Sequence, residues 1–387
     1  MRVAVVGAAV GGSTAALLLA RAGAMVTMFE RVPKFRAVGA GIALQPNGLA
    51  VLYGLGLERT LRERGSRLGP ARIADSAGRT LMTPPAPSSS PPLDHVLMIR
   101  RSDLHDVLID AVHQEHGIVA SFGTELLSAS SDGAVTVRVG DREERFEFDL
   151  VVGADGVKSR VRETGRFGAK VRASGITYGR GLIEREVARN EEAWTQLGVF
   201  GSFPVPRGTY FFCSLGTPPL RAAVEARDWE AVREIWGAVY PPAEDILADL
   251  RSTGGLLVNE VLRVDCDRYV DGRLALLGDA AHAMAPNLGQ GANSALVDAA
   301  VLLDCLRRAE DAVSALESYD GRRRQAVRWV QDAADSAGRL SERTSTTFRW
   351  VRDRLLMPLA GLGAEARMAR VFQEPPSRIA ELVAGRV

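Results

Sequence analysis

The stretch Arg2-Val3-Ala4-Val5-Val6-Gly7-Ala8-Ala9-Val10-Gly11-Gly12, read together with Met25-Val26-Thr27-Met28-Phe29-Glu30, decides the fold. Residues 2–6 are an apolar run that reads as a buried strand. Residues 13–22 supply Ala and Leu for a helix, and Gly23 stands where a helix C-cap is expected. Residues 25–30 form a second strand, so the chain opens with a βαβ unit and therefore a parallel sheet. Gly7 allows a sharp turn from strand to helix, and Gly12 allows the helix to pack closely on the strand. The first amides of that helix, with its dipole, then face a pyrophosphate. Ala9 takes the middle position, where the usual fingerprint has Gly, and its methyl crowds the phosphate approach. Glu30 ends the second strand 30 − 7 = 23 positions after Gly7, where a carboxylate can hold both hydroxyls of a ribose. An acid there disfavours a 2′-phosphate.

Around this unit the chain has 387 residues, 46% hydrophobic and 25% charged, which suits a globular protein with a large core. Lys and Arg number 48 against 47 Asp and Glu, a net charge of +1, so no basic field argues for nucleic acid or an anionic membrane. Cys213, Cys266 and Cys305 lie far apart and form neither a disulfide framework nor a metal set. Reduced cysteines and a glycine-broken N-terminus suggest a cytoplasmic chain without a signal peptide. No apolar run approaches the roughly eighteen residues of a membrane span.

Further along, Thr83-Pro84-Pro85-Ala86-Pro87-Ser88-Ser89-Ser90-Pro91-Pro92 is a loop, because Pro blocks helix and central strand alike. Residues 101–113 are helical in pattern, and residues 134–139 and 146–152 read as strands. Residues 170–270 alternate as a mostly antiparallel sheet, with helices near 227–237 and 243–252. Everything after about 317 is helical and Arg-rich, and Arg322-Arg323-Arg324 reads as a solvated helix face.

Two later motifs bear on chemistry. Asp149-Leu150-Val151-Val152-Gly153-Ala154-Asp155-Gly156 is a strand ending in an acidic Gly turn, common enough to be purely structural. Leu277-Gly278-Asp279-Ala280-Ala281-His282 delivers Asp279 at the carboxyl end of a buried strand, where α/β sheets bind ligands. The loop Pro286-Asn287-Leu288-Gly289-Gln290-Gly291-Ala292 then opens a helix whose N-terminus stabilises negative charge. His282, in a tight Ala-rich turn, reads as a structural hydrogen-bonding residue.

In this order the motifs resemble those of the single-component FAD-dependent aromatic hydroxylases, the group A flavoprotein monooxygenases with the p-hydroxybenzoate hydroxylase fold, over residues 1–340. The resemblance implies a Rossmann-like α/β FAD-binding domain, discontinuous over 1–70, 98–168 and 268–330, with an inserted, mostly antiparallel substrate domain over 71–97 and 169–267. Residues 331–387 form a C-terminal helical segment. It implies FAD contacts from Gly7, Val10, Gly11 and Gly12, from Glu30 and Arg31 at the adenosine ribose, and from Arg101 at a helix start. Gly41 and Ala43 fall in the loop along which the flavin ring moves, and Leu126 is a weaker match to an adenine contact. Asp155 and Gly156 match the motif tied to FAD and nicotinamide handling, and Asp279 the ribityl contact. Pro286, Gly289, Gly291 and Ala292 fall in the loop at the flavin.

The implied reaction uses NAD(P)H as a transient reductant and O2, and hydroxylates or epoxidises an aromatic or polycyclic small molecule through a flavin C4a-hydroperoxide. The cofactor carries the chemistry while the protein orients substrate and excludes water. Pocket candidates are Arg180, Phe203, Tyr210, Phe212, Met284 and Pro286; alternation puts Tyr210 and Phe212 on one face of their strand. No side chain is required as nucleophile, no metal is expected, and the protein is expected to be a monomer or homodimer. Rival readings are a flavin dehydrogenase or oxidase that transfers no oxygen, and a non-catalytic flavin carrier. The Trp-x-Trp-x-x-Pro segment of flavin halogenases is not found.

Overall fold

A computed structural model of the chain describes residues 1–34, 40–87, 89–250, 255–360 and 363–385. Strand Arg2–Val6 lies inside a six-stranded sheet ordered Val270–Asp271, Leu274–Leu276, Leu150–Gly153, Arg2–Val6, Met25–Glu30, Ile118–Phe122. Its pairings are parallel except that of Val270–Asp271 with Leu274–Leu276. Near-continuous apolar strands such as Leu150–Gly153, buried throughout, suit a sheet covered on both sides. The helices Val10–Arg21, Arg101–Gln114 and Gly291–Arg308 pack together beside this sheet. A three-stranded antiparallel sheet (Thr124–Ala129, Ala134–Val139, Arg142–Glu147) packs on it by setting Phe146 against Phe29, ring centroids 5.9 Å apart.

A seven-stranded sheet runs Leu257–Asp265, Lys170–Ile183, Gly208–Ser214, Gly198–Val205, Glu191–Thr195, Arg72–Asp75, Thr80–Met82, so the strands flanking residue 75 join those of 170–265. All its pairings are antiparallel except that of Glu191–Thr195 with Arg72–Asp75. On one face Phe200 and Phe211 form a second core with Trp236 and Tyr240 beneath helices Pro218–Glu225 and Trp229–Val239. The 31-residue helix Ala312–Glu342, roughly 46 Å long at 1.5 Å per residue, ties the two large sheets together. Near its start the Tyr319 hydroxyl donates to the Leu276 carbonyl (2.8 Å), and at its end Glu342 accepts from Ser214 Oγ (2.5 Å). Among the described residues no helix is long and apolar enough to cross a membrane.

Several sequence expectations need correction. Residues 146–152 are not one strand: Arg142–Glu147 and Leu150–Gly153 belong to different sheets. The chain is turned between them by the Phe148 N–H on Gly133 O and by the Asp149 carboxylate, which accepts the Arg2 N–H at 2.7 Å. Gly41 and Ala43 lie in a strand, Gly41–Leu44, because Leu97–Arg100 pairs with it antiparallel. The helix expected over 243–252 is the short Pro242–Ile246 followed by a 3₁₀ turn, Leu247–Asp249, and residues 251–252 lie outside the described residues. A division at 330 falls within the single helix Ala312–Glu342. Arg323 is not solvated but 1% exposed, and Arg322 bridges Asp304 (2.6 Å) and Glu374 (2.9 Å); Arg324 makes a half-buried i,i+4 pair with Asp320.

Candidate active site

The turn after Arg2–Val6 leaves no room for side chains at its glycines. Gly7 has φ +101°, and a Cβ there would stand 2.5 Å from the Ala154 carbonyl oxygen; a Cβ on Gly12 would overlap the Gly7 carbonyl oxygen. The helix therefore starts at once, with Ala9 as an N-cap whose methyl supplies no hydrogen bond. Val10, Gly11 and Gly12 are buried, and the first amides of the helix have no acceptor within it. The Glu30 carboxylate accepts the N–H groups of Ala8 and Val32, each at 2.9 Å, which fixes it beside the turn with lone pairs to spare. Arg31 next to it is exposed, as is Arg101, which opens the helix Arg101–Gln114 and donates its N–H to Ala40 O at 2.9 Å. Leu126 is buried in the main core.

The strand Leu150–Gly153 leads into a turn whose acid is used locally. Asp155 accepts Ser159 Oγ (2.5 Å), Arg160 N–H (2.6 Å) and Val161 N–H (3.1 Å), and so fastens the start of helix Arg160–Thr164. Burial raises the Asp155 pKa above the ordinary carboxylate value, against the pull of these three bonds. Gly156 follows with φ +79°. Buried Arg162 donates to Val157 O (2.7 Å) and Ala280 O (2.8 Å), joining this turn to the one that carries Asp279.

Asp279 is exposed at the carboxyl end of Leu274–Leu276 and has no hydrogen bond or ion pair among the described residues. Its Oδ1 lies 3.9 Å from where a Gly291 Cβ would stand, facing the start of helix Gly291–Arg308. The turn is held from below by Asp298, which sequence reading missed. Asp298 is fully buried and accepts the Gly278 N–H (2.8 Å), His282 Nε2 (2.6 Å) and Arg323 Nε (2.6 Å). Burial opposes ionisation, but His282, Arg323 and the Gly278 amide prevail and hold its pKa at about 2. Arg323 also bonds Gln373 Oε1, and Gln373 Nε2 donates to Ser294 Oγ (2.6 Å), so the C-terminal region buttresses the same helix. The available signal was Asp298 standing a fixed helical distance beyond Gly291, an acid on an otherwise apolar stretch.

The segment Pro286–Ala292 is stitched to Gly41–Leu44. Asn293 Nδ2 donates to Ala43 O (2.9 Å) and Gly289 O (2.7 Å), while Gln45 Nε2 donates to Leu288 O (2.8 Å). Gly41, Ala43, Gly289, Gly291 and Ala292 are thereby brought together as a half-exposed strip, with Pro286 exposed and Met284 half-buried beside it. The strip meets the seven-stranded sheet where the Tyr210 ring packs on Gly41, so that a Cβ on Gly41 would stand 2.5 Å from Tyr210 Cγ. Phe212 has its centroid 6.2 Å from Tyr210, 6.3 Å from Phe203 (stacked) and 6.1 Å from Tyr178 (edge-on). Tyr210 and Phe212 share this face, as alternation requires, and Phe211 takes the opposite one. Burial pushes the Tyr210 phenol up to about 12, against the attraction of Arg180 and Arg101. Arg180 is half-buried on the same face and donates to Asn259 Oδ1 at 2.9 Å.

Tyr178, Asn287, Glu192 and Glu342 also belong here and were not singled out from sequence. Tyr178 OH accepts Asn287 Nδ2 (3.1 Å), and burial raises the Glu342 pKa against bonds from Ser214 and Tyr178. A cradle in which no Cβ fits, free helix amides above it, an unpartnered carboxylate at a strand end and a half-exposed strip beside an aromatic wall are the donor and acceptor set that a flavin dinucleotide fits.

Comparison with known proteins agrees. The FAD binding domain family matches residues 1–334. Aurachin C monooxygenase/isomerase of Stigmatella aurantiaca is 30% identical, over 97% of this chain and 99% of that protein. The 3-amino-4-hydroxybenzoate 2-monooxygenase of Streptomyces cremeus is 34% identical, over 79% of this chain and 78% of that one. The structure of Klebsiella pneumoniae HpxO with FAD and uric acid superposes with a TM-score of 0.81 at 25% identity, covering 97% of both chains. A match along most of the chain, on a site built for a flavin dinucleotide, places this protein in the FAD-binding family of group A flavoprotein monooxygenases.

Proposed function

We propose that this FAD-dependent monooxygenase binds a planar aromatic substrate between the Pro286–Ala292 strip and the Phe203, Tyr210 and Phe212 wall, and hydroxylates it with O2 and NAD(P)H. The observation that carries this reading is the contact of Tyr210 with Gly41, which sets an aromatic face directly against the strip proposed to hold the flavin ring. Relatives named for 3-amino-4-hydroxybenzoate, kynurenine and urate support an aromatic substrate.

In this reading the Gly7–Gly12 turn takes the pyrophosphate on the amides of helix Val10–Arg21, Glu30 holds the adenosine ribose with Arg31 alongside, and Arg101 reaches the phosphates. Asp279 accepts from the ribityl hydroxyls. Asp155 shapes the turn that presents Gly156, because Ser159, Arg160 and Val161 fix its carboxylate there. Held by these residues, FAD would supply the redox chemistry that joins hydride from a nicotinamide to oxygen transfer from O2. The helix N-terminus at Gly291 would stabilise negative charge placed beside it. The aromatic wall excludes water and fixes the ring plane of the substrate.

The discontinuous domain plan (1–70, 98–168 and 268–330 against 71–97 and 169–267) stands as part of this proposal, with the C-terminal limit moved to follow the helix Ala312–Glu342. The test follows NADH and NADPH oxidation together with oxygen uptake across a panel of aromatic acids and fused heterocycles. Substrate-stimulated oxidation that yields a hydroxylated product supports the proposal. Oxidation with no oxygen in the product, for ligands that bind, supports the oxidase reading instead.

A further inference from the structure

On the wall facing the strip, cross-strand register lines up one row of four residues. Glu192 pairs with Gly201, Gly201 with Phe212, and Phe212 with Arg180, each on adjacent strands, so all four point to the same face. Gly201 has no side chain and the Phe212 ring lies over it, in the space a Cβ would need. The row is thus an aromatic floor with a cation at one end and a carboxyl at the other.

Among the described residues neither end group has an ion-pair partner. Arg180 forms no ion pair among the described residues; Asn259 is its hydrogen-bond partner, and its buried Nε has none. Among the described residues Glu192 has no ion-pair partner, and its carboxylate accepts a hydrogen bond from Trp194 Nε1 at 3.2 Å. Burial raises its pKa above the ordinary carboxylate value. By contrast its sequence neighbour Glu191, on the opposite face, is bonded by Arg72, Arg189 and Tyr240. Opposite charges that could neutralise each other are held apart by two intervening strands. Half-buried polar groups left this way cost stability unless something else satisfies them.

We propose that Arg180 and Glu192 bracket the floor and select a planar, fused-ring aromatic substrate with a hydroxyl or ring N–H at one edge and a carbonyl or carboxylate oxygen at the opposite edge. The inference rests on the placement of the substrate in the preceding section. Three strand spacings of about 4.8 Å separate the two backbones by about 14 Å, and side chains stand roughly perpendicular to a sheet. Subtracting two hydrogen bonds of roughly 3 Å each leaves about 8 Å between the polar atoms of the ligand itself. That exceeds the para axis of one benzene ring and matches a fused bicycle substituted at its two ends. Phe212 stacks beneath the rings, Arg180 donates to the oxygen, and Glu192 accepts from the hydroxyl or N–H.

The test measures binding to the FAD-loaded enzyme, without turnover, through perturbation of the flavin absorbance by three probes: 6-hydroxy-2-naphthoate, 2-naphthol and 2-naphthoate. The doubly substituted probe is expected to bind the unmodified enzyme at least tenfold more tightly than either single-function probe. Arg180→Met should weaken both carboxylates tenfold or more and leave 2-naphthol unchanged. Glu192→Leu should weaken the two hydroxyl probes and leave 2-naphthoate unchanged or tighter. Arg180→Gln and Glu192→Gln, which keep a polar group in place, serve if either first variant fails to fold. Equal weakening of all three probes by both variants overturns the proposal, as does no change, or failure of all three probes to bind the unmodified enzyme. Selective binding without oxygen uptake would leave the bracket standing and remove the monooxygenase placement, so the two failures are distinguishable.

Discussion

Replacing Asp298 with Asn should be among the most damaging single-atom changes available to this chain. The side chain keeps its shape and loses its charge. One oxygen now takes Gly278 and His282 on one side, or Arg323 Nε on the other, wherever an acceptor of a 2.6–2.8 Å bond stood before; the new NH2 must face a donor. Removing one partner of a buried ion pair costs about 3–5 kcal/mol, because the remaining charge stays buried. Unfolding entropy near 2.1 cal/mol/K per residue gives about 0.8 kcal/mol/K for 387 residues, so the melting temperature should fall by roughly 4–6 °C. The pH dependence carries a sign of its own. The Asp298 pKa is depressed to about 2, so its contribution is fully present above the ordinary carboxylate value near 4 and is lost as pH falls from there toward 2. Asp298→Asn should therefore show a shallower acid limb than the unmodified protein. The assay is thermal unfolding by far-ultraviolet circular dichroism from pH 3 to 7, with and without FAD. Arg324→Ala is the control, because its half-buried i,i+4 pair with Asp320 is worth only about 0.5 kcal/mol. If Asp298→Asn melts within 1 °C of the unmodified protein, the network does not hold the Gly278 turn.

Three further outcomes follow from the same geometry. Asp279→Ala should weaken FAD retention tenfold or more by removing a charged acceptor, and purification of that variant with its full flavin content would contradict the placement. Gly12→Val should abolish both soluble expression and flavin binding, because its Cβ overlaps the Gly7 carbonyl; a folded, yellow variant would show that the helix can shift. Burial raises the Glu192 pKa, so its protonated form is favoured in the fold and stability is lost as pH rises through the raised value. Glu192→Gln should therefore raise the melting temperature at pH 7, with the gain vanishing near pH 4, and an equal gain at both values would rule out ionisation as the cause.

The parts legible in the sequence were those in which local backbone demands fix residue type. The turn needs glycine at positions 7 and 12, and a strand–helix–strand run ending in Glu30 is short enough to read in one pass. Gly278-Asp279 was readable for the same reason. Alternation placed Tyr210 and Phe212 together because a strand has a period of two. What could not be read depended on distant pairing. Arg322-Arg323-Arg324 looks like a charged helix face until Asp298, 25 positions away, is brought beneath Arg323. Phe146 to Val152 looks like one apolar strand because hydrophobicity does not record that Asp149 bonds the Arg2 amide across 147 positions. Glu192 and Arg180 become a pair only through the register of four strands. Asp155 carries the expected motif, but the bonds that occupy its carboxylate come from its own helix, a use that the motif alone does not specify.

The most direct test of the central claim is the fate of isotopic oxygen. The FAD-loaded enzyme would be supplied with NAD(P)H, an aromatic substrate that stimulates its oxidation, and ¹⁸O₂, and the product analysed by mass spectrometry. One ¹⁸O atom in the product, with none acquired from ¹⁶O water, is the predicted result. Full NAD(P)H oxidation with every oxygen atom recovered as hydrogen peroxide or water, and an unlabelled aromatic, would contradict it.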